Sequence, residues 1–410
     1  MKKKNLCWAT VILSLLIISC SSDDRNSLTN VPSNPNDNLG FTPCENGFAG
    51  DFPCNGVDLI SSVSLSEMGA AEGNDCWGWT DPSTGKEYAI MGTNSNTSFI
   101  DISDPENPIL LGRLQTATVS SSWRDIKVYN NYAYIVSEAA NHGMQVFDLT
   151  RLRDVTNPPV SFNTDERLTS FGNAHNIVIN EDSGYAYAVG TSTFLGGPVF
   201  INIQSPAIPQ NEGGYSDQGY SHDAQAITYS GPDSDHTGKE IYIGSNEDRV
   251  VFVDVTDKEN PIFISSIDYP NVGYTHQGWV DESQTYFFLG DELDEINFGN
   301  QTKTIIFDIT DLDNPIIHFE YNGPNNAIDH NGYIKGNEFY LANYTAGLRI
   351  IDISNVENKN ISEVAFFDSH PQNNNTTFNG AWSVYPFFES GNILISDINR
   401  GLFVVKKSEN

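Results

Sequence analysis

The stretch Phe99-Ile100-Asp101-Ile102-Ser103-Asp104-Pro105 decides the fold, because variants of it recur along the 410-residue chain. An apolar run of period two that ends in an acid before a proline-marked turn is typical of a β-strand. Successive copies lie about 40 to 55 residues apart, the length of one four-stranded blade in a radial repeat. The further copies span residues 146–149, 200–203, 252–255, 306–309, 350–353 and, without its acid, 401–405.

Other strands surround each copy. Tyr132-Ala133-Tyr134-Ile135-Val136 and Tyr286-Phe287-Phe288-Leu289 precede two of the copies, whereas Pro108-Ile109-Leu110-Leu111-Gly112 follows another. Helical periodicity is essentially absent, and repeated antiparallel sheets with short edges favour a closed radial array. The sequence therefore predicts an all-β fold, a single β-propeller of seven four-stranded blades over residues 41–410. A strand from Leu59 to Leu65 would complete the last blade.

The acids that end the repeated strands invite a catalytic interpretation. Asp101, Asp254 and Asp308 nevertheless stand just before turns, where an aspartate usually accepts hydrogen bonds from the backbone. We therefore predict that these residues are structural.

The first residues indicate export. Lys2-Lys3-Lys4 precede an apolar run too short for a membrane span, so residues 1–19 are predicted to be a signal peptide. The run ends in Ile17-Ile18-Ser19-Cys20, which resembles a bacterial lipobox with lipidation at Cys20; a chance cysteine after an ordinary signal peptide is the alternative. Ser21-Ser22-Asp23-Asp24 resembles a surface-export signal. Residues 20–40 then form a flexible, lipid-anchored tether on the outer membrane, at the cell surface.

The net charge limits the classes of partner, and the cysteines predict a disulfide. The formal net charge is -32, which disfavours nucleic acid and leaves divalent cations or cationic partners open beside a plain solvated surface. Cys44 and Cys54 lie close together in turn-rich sequence, so a disulfide is predicted outside the cytoplasm. Cys76 is left as a free thiol.

Several phrases carry a family resemblance. Cys76-Trp77-Gly78-Trp79, Trp123-Arg124-Asp125, Tyr274-Thr275-His276-Gln277-Gly278-Trp279, Gly290-Asp291-Glu292 and Asp329-His330-Asn331 resemble the choice-of-anchor B family, whose strands belong to the LVIVD-repeat group. The resemblance implies an extracytoplasmic β-propeller and no particular reaction.

One position per repeat, at the start of a strand, is rich in histidine. Four of the eight histidines of the chain stand there in successive repeats, and equivalent positions of a propeller lie at one radius around the axis. A second series follows the next strand and contributes carboxylates. The candidate metal or ligand residues are His175, His222, His276, His330, Asp125, Asp223, Arg124, Glu138, Asp291 and Glu292.

Three interpretations of these histidines stay open. They could pack the channel mouth, bind a divalent metal such as zinc or calcium, or line a pocket for a polar ligand. Cys76 occupies the same position in its repeat, where a buried inert thiol is favoured over a metal ligand. The run Asp291-Glu292-Leu293-Asp294-Glu295 could hold calcium, although a solvated loop is favoured.

No catalytic motif is found, so the enzyme class stays undecided. A surface-displayed binding module for an extracellular protein or glycan is the first hypothesis. Tryptophans such as Trp123 and Trp382 suit either recognition or packing between blades. A metal-dependent hydrolase or lyase with its site on the axis is the second hypothesis, and a purely structural surface protein is the third. Fold alone does not choose among them.

Overall fold

Seven antiparallel sheets make up residues 39–409, the part of the chain that the computed structural model describes. They confirm the predicted all-β propeller with seven blades. The predicted signal peptide, the lipidation at Cys20 and all of the tether except Leu39 and Gly40 lie outside the described residues. None of the helices within residues 39–409 has both the length and the apolar composition of a transmembrane span.

The strands follow one another with short connections. The first half of the chain forms β1 (Phe48–Ala49), β2 (Phe52–Asn55), β3 (Val57–Ser64), β4 (Gly73–Thr80), β5 (Glu87–Thr93), β6 (Asn96–Asp101), β7 (Ile109–Gln115), β8 (Arg124–Tyr129), β9 (Tyr132–Ser137), β10 (Met144–Asp148), β11 (Val160–Phe162), β12 (Glu166–Leu168), β13 (Asn176–Asn180), β14 (Tyr185–Val189), β15 (Val199–Asn202) and β16 (Gln210–Gly214).

The second half continues the pattern with β17 (Asp223–Thr228), β18 (Glu240–Ser245), β19 (Val250–Asp254), β20 (Ile262–Ile267), β21 (Thr275–Val280), β22 (Tyr286–Asp291), β23 (Lys303–Asp308), β24 (Ile316–Asn322), β25 (Gly332–Lys335), β26 (Glu338–Ala342), β27 (Leu348–Asp352), β28 (Ser362–Phe367), β29 (Ala381–Tyr385), β30 (Asn392–Asp397) and β31 (Gly401–Lys407). The helices are short: α1 (Leu65–Met68), α2 (Asp294–Phe298) and the 3-10 turns Leu149–Asp154, Phe194–Gly196 and Val356–Asn358.

Each blade is a meander whose first strand lies at the axis. The innermost strands β4, β8, β13, β17, β21, β25 and β29 belong to blades 1 to 7, and each contacts the innermost strand of the next blade around the whole circle. Blade 7 takes its outermost strand from the N-terminal side of the chain, since β3 pairs with β31 from Val57↔Lys407 to Ser64↔Gly401. The predicted closing strand is therefore confirmed.

The acid or amide that ends the third strand of a blade has the predicted structural role. The Asp101 carboxylate accepts a hydrogen bond from the backbone N–H of Ser103 at 3.0 Å. The same bond, from the residue two positions later, recurs at Asp148, Asn202, Asp254, Asp308 and Asp352. Each side chain therefore fixes the backbone that follows its strand, and that of Asp148 caps the 3-10 turn Leu149–Asp154.

Two blades carry more than four strands. β11 pairs in parallel with β7 at the edge of blade 1, and the β1–β2 hairpin extends blade 6 through β28. The predicted disulfide is present, with the Cα atoms of Cys44 and Cys54 6.0 Å apart. Both additions cover sheet edges that would otherwise expose unpaired backbone groups. The apolar cores lie between neighbouring blades, for example Phe99 stacked on Phe147 of the next blade.

Candidate functional site

The meander places all four candidate histidines at one end of the axis. His175 and His222 directly precede β13 and β17, His276 is the second residue of β21, and His330 lies two residues before β25. Their imidazole rings contact one another in sequence order at interplanar angles of 40° to 48°, with centroids 3.9 Å apart for His175 and His222, 4.6 Å for His222 and His276, and 4.4 Å for His276 and His330. We refer to these four residues as the axial histidine cluster.

Glu292, which follows β22, completes the cluster with a carboxylate. Its Oε2 lies 3.7 Å from Nε2 of His276, and its Oε1 lies 3.6 Å from Nε2 of His330. The Tyr344 hydroxyl donates to Oε1 at 2.9 Å and holds the carboxylate in place. His222, His276 and Glu292 each offer a ligand atom within 4.8 Å of the other two. These three residues could therefore hold a metal ion.

Hydrogen bonds from the surroundings orient two of the imidazoles. Nδ1 of His330 donates to the backbone carbonyl of Trp382, so its Nε2 presents a lone pair to Glu292. Nδ1 of His222 is bonded to the Tyr274 hydroxyl at 2.9 Å. Nε2 of His222 and Nδ1 of His276 have no hydrogen-bond partner among residues 39–409. Rings that are fixed through one nitrogen and free at the other are typical of metal-ligating histidines.

Burial keeps most of the cluster uncharged. It lowers the pKa of His222 and of His276 well below the ordinary value, and the nearby histidines add to the effect. Burial also lowers the pKa of His330 to about 3. These imidazoles are therefore neutral at pH 7, the form that binds a metal.

Two members of the site are shifted the other way. Burial acts to lower the pKa of His175, but the hydrogen bond to Oε1 of Glu138 at 2.6 Å and the charge of that carboxylate outweigh it and raise the pKa. Burial raises the pKa of Glu292 to about 7. His175 is thus the member of the cluster best suited to carry a proton.

A small cavity of about 10 Å³ lies on the axis beside the cluster. That volume holds about one water molecule or one ion. Its floor is a layer of polar side chains in which Nδ2 of Asn176 donates to Asp125 at 2.8 Å and to Asp223 at 2.6 Å. Burial raises the pKa of Asp223 to about 7. The complete lining is Trp123, Arg124, Asp125, His175, Asn176, Asp223, His276, His330, Asn331 and Trp382.

Two of the candidate residues have other roles. Arg124 lines the cavity but is bonded through Nη1 to Nε2 of His142 at 3.2 Å and through Nε to the Thr93 carbonyl at 3.1 Å. The Asp291 carboxylate accepts hydrogen bonds from the Tyr269 hydroxyl and the Gly273 N–H, which fix the loop before β21. Asp291 does not belong to the grouping of His222, His276 and Glu292.

The acidic run that contains Asp291 is not a solvated loop. Asp291 and Asp294 are fully buried and Glu295 is 3% exposed, which corrects the favoured interpretation of the sequence. The run instead leads into α2 against the top of blade 5. Cys76 conforms to its prediction: it is a free and fully buried thiol whose pKa is raised by burial.

Sequence reasoning missed the two tyrosines that hold the site. Tyr274 and Tyr344 lie in irregular loops. The sequence indicated them only by position, since Tyr274 precedes the strand of His276 and Tyr344 follows Asn343, which stands in the second series of positions.

A second grouping, Asp233, His236 and Asp313, lies away from the axis. Nδ1 of His236 is 3.4 Å from the Lys239 ammonium, and its Nε2 lies 3.1 Å from Asp313. Both ring nitrogens are therefore already bonded there.

Comparison with known proteins identifies the repeated unit. The LVIVD repeat matches residues 88–116, 122–145 and 333–362. The chain carries LVIVD repeats. They fall on the strands of blades 1, 2 and 6, in agreement with a family typical of β-propeller proteins. No curated protein matches the chain in sequence.

Solved propellers resemble the chain in fold alone. A hydrazine synthase from Kuenenia stuttgartiensis is 10% identical with a TM-score of 0.53, over 78% of this chain and 93% of that one. A protein from Bacteroides uniformis described as a putative 6-phosphogluconolactonase is 13% identical with a TM-score of 0.51, over 71% and 84%. The WD40 domain of Toxoplasma gondii coronin is 12% identical with a TM-score of 0.50, over 83% and 85%. Such diverse relatives do not indicate a shared activity.

Proposed function

We propose that this protein is a surface-displayed interaction module whose axial histidine cluster binds a transition-metal ion. The observation that carries the proposal is that His222, His276 and Glu292 each offer a ligand atom within 4.8 Å of the other two, while Nε2 of His222 has no hydrogen-bond partner among the described residues. His330 could be a further ligand, because its Nε2 lies 3.6 Å from Oε1 of Glu292.

The donor chemistry favours zinc over calcium. Two or three neutral imidazoles and one carboxylate match the ligand sets that hold zinc, and calcium prefers oxygen donors throughout. Glu292 approaches two imidazole nitrogens at 3.6 and 3.7 Å, which is too long for a hydrogen bond. A cation bound between these groups would satisfy both nitrogens and the carboxylate.

The size of the axial cavity fits a bound ion. About 10 Å³ accommodates an ion or a water molecule. We therefore retain the metal ion as a part of the module and do not assign it a reaction.

The end of the propeller above the cluster offers the interaction surface. In a four-stranded meander, the loop before the first strand and the loop after the second strand lie at one end of the sheet, the end that carries the histidines. Six large apolar side chains in these loops are 44% to 77% exposed, and a partner that covers this end of the propeller would bury them. They are Val119, Trp123, Leu195, Ile296, Phe298 and Phe378. Because half of them are aliphatic, an extracellular protein suits this surface better than a glycan.

The N-terminal sequence supports a location of the protein at the cell surface. A lipid on Cys20 and a polar tether up to residue 40 would hold the propeller on the outer membrane at the cell surface. The strongly acidic composition suits a partner with basic side chains.

Elemental analysis of the purified, tag-free protein tests the metal site. We expect close to one equivalent of zinc per chain, and its loss in the double variant His222→Ala/His276→Ala. The matched control is His318→Ala, which removes a histidine bonded to the Val356 carbonyl away from the axis. A wild-type protein without bound metal after incubation with zinc would overturn the proposal.

A further inference from the structure

The N-terminal segment enters the propeller at the end that carries the axial histidine cluster, which we call the histidine end. Ser64, the last residue of β3, pairs with Gly401. Gly401 pairs with Asp397, which pairs in turn with Ala381, the first residue of β29. These residues form one row across blade 7, at the end where its innermost strand begins. The last residue of β3 therefore lies at the histidine end.

The chain before β3 runs along this strand in the opposite direction. The N–H of Leu39 donates a hydrogen bond to Oγ of Ser62 at 3.3 Å, and Thr42 pairs antiparallel with Leu59. Leu39 thus lies nearer to the histidine end than Thr42 does. Because Leu39 is the first described residue, the part of the chain that precedes it joins the propeller at this end.

The position of Leu39 decides which end of the propeller an anchor would hold near the membrane. Residues 20–38 connect Leu39 to Cys20, the proposed site of lipidation, and these 19 residues span at most about 65 Å. Since the connection is attached at the histidine end, a lipid on Cys20 would keep this end closer to the membrane than the opposite end.

The histidine end combines apolar and acidic side chains. The six exposed apolar side chains described above lie there. In the described part of the chain, the exposed charged residues of the loops and of the short helix α1 at this end are all acidic: Glu67, Asp217, Glu247, Asp248 and Asp268. Such a surface is complementary to a protein with apolar and basic side chains. Anionic lipid headgroups would repel the acidic residues, so the surface fits a protein better than a lipid bilayer.

We propose that the histidine end faces the membrane and covers the extracellular part of a protein embedded in that membrane. The inference rests on the proposed function and specifies the class of its partner. The entry of the chain at this end supports the orientation, and the apolar and acidic side chains support the class of partner. The opposite end of the propeller would then face away from the cell.

Thiol labelling of intact cells with a maleimide-polyethylene glycol tests the orientation. Val119→Cys and Leu195→Cys place a thiol at the histidine end, at side chains that are 66% and 77% exposed. The matched controls are Ile208→Cys and Ile262→Cys, 63% and 62% exposed, where the outermost strands of blades 3 and 4 begin at the opposite end. We expect labelling at the histidine end to be on the order of ten-fold slower than in the controls, since a covered interface excludes the reagent. Equal rates at both ends, or slower labelling of the controls, would overturn the proposal.

The described native cysteines do not interfere with this measurement. Cys44 and Cys54 form a disulfide, and Cys76 is fully buried. The purified, lipidated variants are then labelled on protein-free vesicles of phosphatidylethanolamine and phosphatidylglycerol, where the thiols at the two ends should react at similar rates. Protection of the histidine end on these vesicles would mean that lipid covers it, and would overturn the assignment to a protein partner.

Mass spectrometry of each purified variant verifies the lipid separately. A chain without lipid on Cys20 would overturn the proposed location and the orientation together. A lipidated chain with equal labelling at both ends would overturn the orientation alone and leave the proposed location intact.

Discussion

The hydroxyl of Tyr274 determines which nitrogen His222 offers to the axis. The hydroxyl is 2.9 Å from Nδ1 of His222, and the two rings meet edge to face with centroids 4.9 Å apart. With Nδ1 engaged, Nε2 is the nitrogen left for an ion. A histidine without such support loses both its tautomer and its orientation, and both are required for metal binding.

We expect Tyr274→Phe to weaken zinc binding by about 10- to 100-fold while the fold is retained, since the ring packing is preserved and only the hydrogen bond is lost. Competition titration with a chromogenic chelator measures the change. Tyr220→Phe is the control, because the Tyr220 ring lies 6.5 Å from His222 and its hydroxyl is not bonded to that imidazole. Equal affinities for the two variants would contradict the orienting role.

The sequence allowed the histidines to be predicted as one group, with both Asp291 and Glu292 as candidates beside them, but it did not show which of the two acids joins them. Repeats in one register place equivalent residues at one radius, and this is why His175, His222 and His276 meet. Asp291 and Glu292 are neighbours at a strand end, and successive residues of a strand point to opposite sides. Which of the two faces the axis depends on the loop after β22, and that loop has no counterpart in the other repeats.

Among the elements, the connections between blades depend on a few strong contacts. Asp81 follows β4 of blade 1 and binds Arg153, in the 3-10 turn after β10 of blade 2, with two hydrogen bonds of 2.6 and 2.7 Å. The bond to Arg153 lowers the pKa of Asp81 to about 2. This is below the value of about 3.9 for an unfolded aspartate. The pair therefore stabilises the fold fully above the unfolded value and is lost as the pH falls toward about 2.

Thermal unfolding between pH 2 and pH 7 should show this contact. We expect Arg153→Gln to lower Tm at pH 6 and to lose less additional stability than the wild type as the pH falls from 4 to 2, because the ionised Asp81 no longer gains from its partner. Arg151→Gln is the control, since Arg151 binds Asp165 in a pair that is one-third exposed and better screened. An equal fall in Tm between pH 4 and pH 2 for the wild type and Arg153→Gln would exclude a contribution of the Asp81–Arg153 ion pair to stability.

The regular elements could be predicted and the additional strands could not. The phrase around Asp101 recurs in every unit, so it specified the third strand of each blade and, in blades 1 to 6, the turn that follows that strand. β11 and the β1–β2 hairpin come from segments that occur once, are two to four residues long and have no alternation to detect. Their positions are set by which sheet edges remain open after the blades have formed.

At the scale of the whole molecule, attachment and folding should be separable. The propeller closes through β3 and β31 within residues 39–409, so no contact of the described part requires the lipid. We expect Cys20→Ser to abolish lipidation and to move the protein from the membrane fraction to the soluble fraction without a change in Tm. Fractionation with metabolic lipid labelling measures this, and membrane retention of the unlipidated variant would show that another anchor exists.

A buried charge network holds the inner strands together around the axis. Nζ of Lys127 lies 2.7 Å from Asp125 and 3.5 Å from Asp75, and Asn176 links Asp125 to Asp223. These residues come from the innermost strands of blades 1 to 4 and are all buried. The ammonium group is their shared counter-charge, and the neighbouring carboxylates outweigh burial and raise the pKa of Lys127 well above its ordinary value.

Removal of that ammonium group should destabilise the whole ring, because the carboxylates stay buried without a cation. We expect Lys127→Met to lower the free energy of unfolding by about 3 to 5 kcal/mol, as measured by denaturant titration. Lys86→Met is the matched control: it breaks the ion pair with Asp101, in which the lysine side chain is 50% exposed, and should cost less than about 1 kcal/mol. Similar losses for the two variants would mean that the axial network does not hold blades 1 to 4 together and that the packing between blades alone closes the propeller.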